Sequence, residues 1–100
     1  MALEFLEPAT FEVDEAFRFY EGQRSGLGLD FIFDLRACLE RIVRYPNAWQ
    51  PFELETRRCR LTKFPYAAVY AEEADLILIV AVMHLHREPG YWSDRIKNNR

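Results

Sequence analysis

The chain has 100 residues, half of them apolar and 15% aromatic, and it carries a formal net charge of −3. This length allows one domain with a single modest core, and the composition is that of a globular rather than a disordered chain. The first residues, MALEFLE, lack the basic and then apolar order of a secretory signal, and the longest apolar run, residues 76–83, is too short to cross a bilayer, so we expect a cytoplasmic protein without a membrane partner.

The first half of the chain predicts a short strand followed by two helices. The stretch ALEFLE alternates weakly, as a strand does, and Glu7-Pro8 favours a helix start because proline is tolerated in the first turn. Apolar residues recur at helical spacing up to Glu21-Gly22 and again from residue 31 onward. The second helix should stop at Tyr45-Pro46, since the residue before a proline avoids helical geometry. The short connection between the helices predicts an antiparallel hairpin.

The second half of the chain changes to the period of a sheet. Residues 47–56 are predicted as a loop, while residues 57–63 and the stretch PYAAVYAEE alternate as strands do. The stretch DLILIVAVMH, apolar on both faces, is typical of a strand buried on both sides. The stretch YWSDRIKN favours a short final helical turn.

The predicted fold class is therefore α+β, in one domain that spans residues 1–100. An N-terminal strand and a helical hairpin precede a three-stranded antiparallel sheet, and the helices should pack on one face of that sheet. No internal repeat, low-complexity tract or linker divides the sequence.

The sequence contains none of the patterns that hold a metal or a cofactor. Cys38 and Cys59 have neither CxxC nor Cys/His ligand spacing, so we expect buried free thiols rather than a zinc site. Glu72, Glu73 and Asp75 are predicted to belong to a solvated turn. No Ser or Cys triad and no glycine-rich phosphate loop is present, so we expect neither a cofactor nor a metal.

Charge is distributed unevenly along the chain. Residues 1–55 hold eleven acids and five arginines, a net charge of −6, whereas residues 56–100 hold five acids and eight bases, a net charge of +3. A basic face of this kind can bind phosphate or an acidic protein segment, although an ordinary solvated surface has the same composition.

The candidate catalytic residues lie in the stretch HLHREPGYWSDR, residues 84–95. His84 and His86 continue a period of two from Val80 and Val82, so both should project from the same side of the last strand. Histidine titrates near neutrality and can act as a general acid or base.

The basic strand of the same sheet carries Arg58, Arg60 and Lys63, which can hold a phosphate near the histidine pair. Together with Arg87 and Tyr91, these residues can supply the base, the acid and the cations that a ribonuclease needs, without a metal.

A structural interpretation of the same residues remains open. In that interpretation Arg87 pairs with an acid of the helices, Tyr91 and Trp92 cover the edge of the sheet, and Arg95 beside Asp94 is an ordinary surface charge.

Three stretches resemble the RelE/ParE superfamily of toxins from type II toxin-antitoxin systems. They are AFRFYEGQRSGLGLDFIFDLRACLERIVRYP, RRCRLTKFPYAAVY and AVMHLHREPGYWSDR. The most specific parts are the GLG between the helices, the FPY that opens a strand, and the ending H-x-x-R-x-P-x-Y-W-x-x-R. That ending matches at His84, Arg87, Pro89, Tyr91, Trp92 and Arg95.

The resemblance implies a toxin that is neutralised by a co-encoded antitoxin in a hetero-oligomeric complex. RelE-like members cleave messenger RNA in the ribosome without a metal, whereas ParE-like members inhibit DNA gyrase. The RelE-like roles carried over are phosphate clamps at Arg58, Arg60 or Lys63, a transition-state stabiliser at Arg87, and acid–base groups at His84, His86 or Tyr91.

Charge favours the ParE-like target, although it leaves open whether the protein is an enzyme. A protein that lodges in ribosomal RNA gains from being strongly basic, because phosphate contacts dominate such binding. This sequence instead has a pI of about 5.4. We therefore expect a gyrase-directed toxin, with a metal-independent endoribonuclease and an inactive, binding-only family member as the alternatives.

Overall fold

The computed structural model, which describes residues 2–99, contains one sheet with helices on both of its faces. The elements in chain order are β1 (Ala2–Phe5), α1 (Glu7–Gln23), α2 (Leu27–Arg44), β2 (Gln50–Phe52), a 3-10 turn (Glu53–Glu55), β3 (Thr56–Arg60), β4 (Tyr66–Glu73), β5 (Leu76–His84) and α3 (Ser93–Asn99). The predicted α+β class, the helical hairpin and the final helical turn are confirmed.

The sheet has five strands in the order β1-β5-β4-β3-β2. β1 runs parallel to β5, and the other neighbouring strands are antiparallel. β5 lies between β1 and β4 and is buried from residue 77 to residue 83, which confirms the strand buried on both sides.

The prediction of a loop at residues 47–56 is wrong in part, because residues 50–52 form β2 and pair with β3. Pro51 explains both the mistaken prediction and the position of the strand. Proline has no N–H for a strand ladder, so the pattern does not resemble a strand, and a strand that contains proline is confined to the edge of a sheet.

The two faces of the sheet carry separate cores. On one face, covered by α1 and α2, Phe31 packs against Tyr66 with ring centroids 5.1 Å apart. On the other face, covered by α3, Trp92 is fully buried and lies 5.6 Å from the ring of Phe52. We call these the hairpin face and the α3 face.

One carboxylate fixes the turn between α1 and α2. Glu21 accepts hydrogen bonds from the backbone N–H of Gly26, at 3.1 and 3.2 Å, and of Gly28, at 3.0 Å. Gly26 has a φ of 90°, which glycine adopts without strain. Gly28 lies so close to α1 that an added Cβ would be 2.8 Å from the ring of Phe17. The backbone conformation therefore favours glycine at position 26, and the close approach of α1 favours it at position 28.

A second carboxylate of the hairpin fixes the connection between β3 and β4. Asp34 is buried and accepts two hydrogen bonds from Thr62, from its N–H at 3.2 Å and from its hydroxyl at 2.8 Å. It accepts two more from the N–H of Lys63, at 2.8 Å, and of Phe64, at 3.1 Å. Burial alone would raise the pKa of Asp34, but the hydrogen bonds favour the ionised form and hold this pKa below its ordinary value.

Replacing Gly28 by alanine should lower the free energy of unfolding by about 1–3 kcal/mol, because the added methyl group overlaps the Phe17 ring. Gly22 is the matched control, since it lies in α1 with no atom within 4 Å of an added Cβ. Gly22→Ala should leave this free energy unchanged or raise it by up to about 1 kcal/mol. Urea denaturation followed by circular dichroism measures both variants, and equal effects would contradict the close approach at Gly28.

Asp34→Asn should weaken the dependence of stability on acidic pH. Because the folded pKa of Asp34 is depressed, its carboxylate stabilises the fold above its unfolded pKa of about 3.9, and this contribution is lost as the pH falls through the folded pKa. In urea denaturation the variant should therefore be less stable than the wild type at neutral pH, and the difference should shrink at strongly acidic pH. A difference that stays constant over this range would refute the assignment.

Candidate functional site

A cavity of about 340 Å³ opens on the hairpin face, between α1 and the end of β5. Its walls are largely aromatic and include Phe19, Tyr20 and Tyr66. Three of the predicted site residues also line it, namely His84, Arg87 and Tyr91. We call this space the α1–β5 cavity.

A β-bulge decides which face of the sheet His84 occupies. The pairing of β4 with β5 shifts register at Val80, which is left as one extra residue in β5. Val80 and Ala81 both pack on the α3 face, whereas Val82 packs on the hairpin face and lines the cavity with His84. The predicted period of two is therefore wrong at Val80, because the bulge shifts the alternation by one residue.

The two histidines lie together, although His86 is outside the strand. β5 ends at His84, and in the following turn the backbone N–H of His86 donates to Nδ1 of His84 at 3.1 Å. The two ring centroids are 5.1 Å apart, and the ring of Tyr66 is also 5.1 Å from that of His84. With Nδ1 as the acceptor, the neutral ring of His84 carries its proton on Nε2.

The centre of the site is Glu12 of α1, which no sequence motif marks. Its carboxylate accepts hydrogen bonds from the Tyr91 hydroxyl, at 2.5 Å, and from the backbone N–H of Val82, at 3.0 Å. Both terminal nitrogens of Arg95 donate to it, at 2.9 and 3.0 Å. The side chains of Arg95 and Glu12 are only 19% and 14% exposed, so water screens this ion pair weakly.

This ion pair corrects one structural interpretation of the sequence. Arg95 is not an ordinary surface charge, and it is Arg95 rather than Arg87 that pairs with an acid of the helices. The available signal was the position of Glu12 on α1, three residues after Ala9 and four before Ala16, both of which are buried. An acid on the buried stripe of a helix requires partners for its charge.

The ion pair also closes an open edge of the sheet. β1 ends opposite Ile79, so no strand formed by residues 2–99 covers that edge of β5 beyond this point. Arg95 donates to the carbonyl oxygen of Val80 at 3.1 Å, and Glu12 accepts from the N–H of Val82. Two side chains thus take the place of a neighbouring strand, which satisfies backbone groups that burial would otherwise leave unpaired.

The same network holds Tyr91 and places Arg87. Burial and the hydrogen bond to Glu12 both raise the pKa of the Tyr91 hydroxyl, so this group stays protonated at neutral pH. The guanidinium of Arg87 lies 3.9 Å from the centroid of the Tyr91 ring. Arg87 is exposed, and among residues 2–99 no carboxylate lies within ion-pair distance of it.

The three predicted phosphate clamps do not gather at the cavity. Arg58 lies opposite Val69 and Arg60 opposite Ala67, and both partners belong to the core of the α3 face. Paired residues project from the same face of a sheet, so the sheet separates these two arginines from His84.

The surroundings of the clamps differ from one another. The guanidinium of Arg58 lies 4.8 Å from the ring of Phe52 and donates to Gln50 at 3.3 Å. Lys63 lies in the connection held by Asp34, between β3 and β4. Arg58 and Arg60 on the α3 face and Lys63 in the connection between β3 and β4 therefore lie in different parts of the structure.

Both cysteines are free and buried, as predicted. The thiol of Cys38 donates to the carbonyl oxygen of Cys59 at 3.4 Å, and its contact with the Cys59 thiol and its burial raise the pKa of Cys38. Within residues 2–99, no three His, Cys, Asp or Glu side chains are grouped to hold a metal ion. None of the helices in the same range is long and apolar enough to cross a membrane.

Comparison with known proteins identifies the family. The family described as "ParE toxin of type II toxin-antitoxin system, parDE" matches residues 3–89. The chain therefore belongs to the ParE toxin family, which confirms its resemblance to the RelE/ParE superfamily. The match ends before Tyr91, so part of the Glu12 network lies outside the matched segment.

A solved structure shows the same fold. A chain of the chromosomal ParDE TA system from P. aeruginosa superposes with a TM-score of 0.76, covering 86% of this chain and 97% of that chain. The two sequences are 19% identical, so the likeness concerns the fold. No curated protein sequence matches the chain.

Glu12→Gln should lower the free energy of unfolding by about 3–5 kcal/mol, because it leaves the largely buried Arg95 without a counter-charge. Asp14→Asn is the matched control, since Asp14 pairs with Arg18 in the open, with side chains 53% and 77% exposed. Asp14→Asn should lower the free energy of unfolding by less than about 1 kcal/mol. Urea denaturation at neutral pH compares the two, and a similar loss in both variants would contradict the central role of Glu12.

Proposed function

We propose that the protein is the toxin of a type II toxin-antitoxin module, that a co-encoded antitoxin neutralises it, and that it acts by binding a protein target, for which DNA gyrase is our candidate. Membership of the ParE toxin family supports the first part of this proposal. Neutralisation by an antitoxin is supported by the structure that shares the fold of this chain, because that structure is named as the chromosomal ParDE TA system from P. aeruginosa.

One observation carries the choice of a protein target over RNA. The residues predicted for RNA cleavage are divided between the two faces of the sheet, with Arg58 and Arg60 on the α3 face and His84 on the hairpin face. Phosphoryl chemistry needs its acid, base and cations around the same phosphate. Tyr91, a further acid–base candidate, has its hydroxyl occupied by Glu12 and its pKa raised.

The α1–β5 cavity has the chemistry of a protein-binding pocket. Its aromatic walls offer apolar area, and Arg87, which has no ion-pair partner among residues 2–99, lies 3.9 Å from the centroid of the Tyr91 ring. Aromatic residues and arginine dominate the energetics of protein interfaces. Phe19, one of these walls, is 58% exposed, and Phe11, eight residues before it on α1, is 65% exposed.

A metal-independent endoribonuclease is the second candidate function. His84 and Arg87 share the α1–β5 cavity, and His86 lies beside His84 with ring centroids 5.1 Å apart. This grouping can supply an acid, a base and one cation without Arg58 or Arg60. An inactive family member that only binds an antitoxin is the third candidate, and it predicts harmless expression.

Tightly controlled expression in a bacterium, with parallel assays of DNA-damage signalling and messenger RNA cleavage, separates these functions. We expect growth arrest with DNA damage, and inhibition of gyrase supercoiling by the purified protein. Arg87→Ala should weaken gyrase inhibition at least about tenfold, as expected for the loss of an interface anchor. Arg24→Ala, which removes an exposed arginine at the far end of α1, should have no effect.

Each contrary result identifies another function. Cuts in translated messages without DNA damage, abolished by His84→Ala, would establish the ribonuclease instead. Normal growth with folded protein present would refute the toxin proposal.

A further inference from the structure

The two cysteines of the chain meet in the core of the hairpin face. Cys38 lies on α2 and Cys59 on β3, 21 residues apart in the sequence. The thiol of Cys38 donates to the carbonyl oxygen of Cys59 at 3.4 Å, and it is also hydrogen-bonded to the Cys59 sulfur. Two sulfur atoms that already touch in the folded state need little movement to form a bond.

Arg41 makes the two thiols chemically different. Its guanidinium donates to the carbonyl oxygen of Arg60, the residue after Cys59, at 3.1 Å. The hydrogen bond from Cys38, followed by the hydrogen bond and the charge of Arg41, holds the pKa of Cys59 below its ordinary value, although burial opposes this. The contact with Cys59 and burial raise the pKa of Cys38. Cys59 is therefore the thiol that ionises, while Cys38 keeps its proton.

A route from the surface leads to Arg41. A cavity of about 330 Å³ lies at the end of α2, and its walls include Arg41, Tyr45 and Trp49. Both cysteines are almost fully buried beneath it, so a bulky reagent is excluded. A reagent of a few atoms needs only a local movement of the Arg41 side chain to reach Cys59, and local openings of this kind cost less than unfolding.

We propose that Cys59 and Cys38 form a site of reversible oxidation, at which hydrogen peroxide converts the two thiols into a disulfide between α2 and β3. The Cys59 thiolate attacks one peroxide oxygen and the O–O bond breaks. The departing hydroxide takes a proton from solvent and leaves as water. The sulfur of Cys38 then attacks the resulting sulfenic acid, the S–S bond forms, and the S–O bond breaks. The oxygen leaves as a second water with the proton of Cys38, so two thiols are oxidised and one peroxide is reduced.

Burial favours the disulfide over further oxidation. An open sulfenic acid is oxidised by a second peroxide to a sulfinic acid. Here the Cys38 thiol is already in contact, and the surrounding core keeps a second peroxide away. Tyr70 of β4 also faces the pair, but burial raises its pKa to about 12, so it is neutral and does not oppose the thiolate. The inference requires neither an antitoxin nor a target, so it is independent of the proposed function.

The test exposes the folded, reduced full chain to hydrogen peroxide at neutral pH and maps its peptides by mass spectrometry. We expect a disulfide within one chain that joins Cys38 to Cys59 and that dithiothreitol reverses. Unmodified cysteines, or a sulfinic acid in place of the disulfide, would overturn the inference. A disulfide that appears only when the protein is unfolded in urea would overturn it as well.

Single-cysteine variants test the two roles. Cys38→Ala removes the thiol that captures the sulfenic acid, so Cys59 should accumulate sulfinic acid. Cys59→Ala should leave Cys38 unoxidised over the same exposure, because Cys38 keeps its proton. The reverse pattern would overturn the assignment of the attacking thiol. Circular dichroism checks that each variant is folded, and the wild-type peptide map decides the disulfide by itself if one is not.

Arg41→Gln tests the positioning role of the guanidinium. Disulfide formation should be at least about threefold slower at neutral pH, and its pH profile should move to higher pH, because a smaller fraction of Cys59 is thiolate. Arg44→Gln is the matched control, since Arg44 lines the same cavity and is exposed. This control should keep the wild-type profile. Profiles that are unchanged in both variants, or shifted equally, would overturn the role of Arg41.

Discussion

The ion pair between Glu12 and Arg95 is the contact on which the arrangement of the site depends. β1 leaves the sheet after four paired residues because α1 begins at Glu7, and within residues 2–99 the second half of β5 then has no neighbouring strand on one edge. Glu12 and Arg95 satisfy the backbone there with a carboxylate and a guanidinium. The same carboxylate fixes Tyr91, and Tyr91 in turn supports Arg87 at the cavity.

Three acids of the helical hairpin act in the same physical way. Glu21 holds the N–H groups of the interhelical turn, Asp34 holds those of residues 62–64, and Glu12 holds that of Val82. Glu21 and Asp34 each accept several backbone hydrogen bonds and so fix a connection between regular elements, whereas Glu12 accepts one from the backbone of β5. Part of the negative charge of the first half therefore stabilises the fold rather than only solvating its surface.

The sheet, buried on both faces, divides the chemistry of the molecule. α3 and Trp92 cover one face, and the hairpin covers the other, so side chains on opposite faces cannot act on one small ligand. The clustered histidines and Arg87 therefore belong with the aromatic surface of α1 rather than with the arginines of β3. This division leaves an aromatic surface with Arg87 beside the end of β5, and it is there that we propose a protein target binds.

The sequence by itself determined the helical hairpin, the buried strand at residues 76–84 and the toxin family. Apolar periodicity, Tyr45-Pro46 and the GLG segment are local signals, because each reflects the backbone geometry of a few neighbouring residues. Only the tertiary structure decided the bulge at Val80 and the partnership of Glu12 with Arg95. A bulge leaves no mark in a strand that is apolar on both faces, and a contact across 83 residues depends on how the elements pack together.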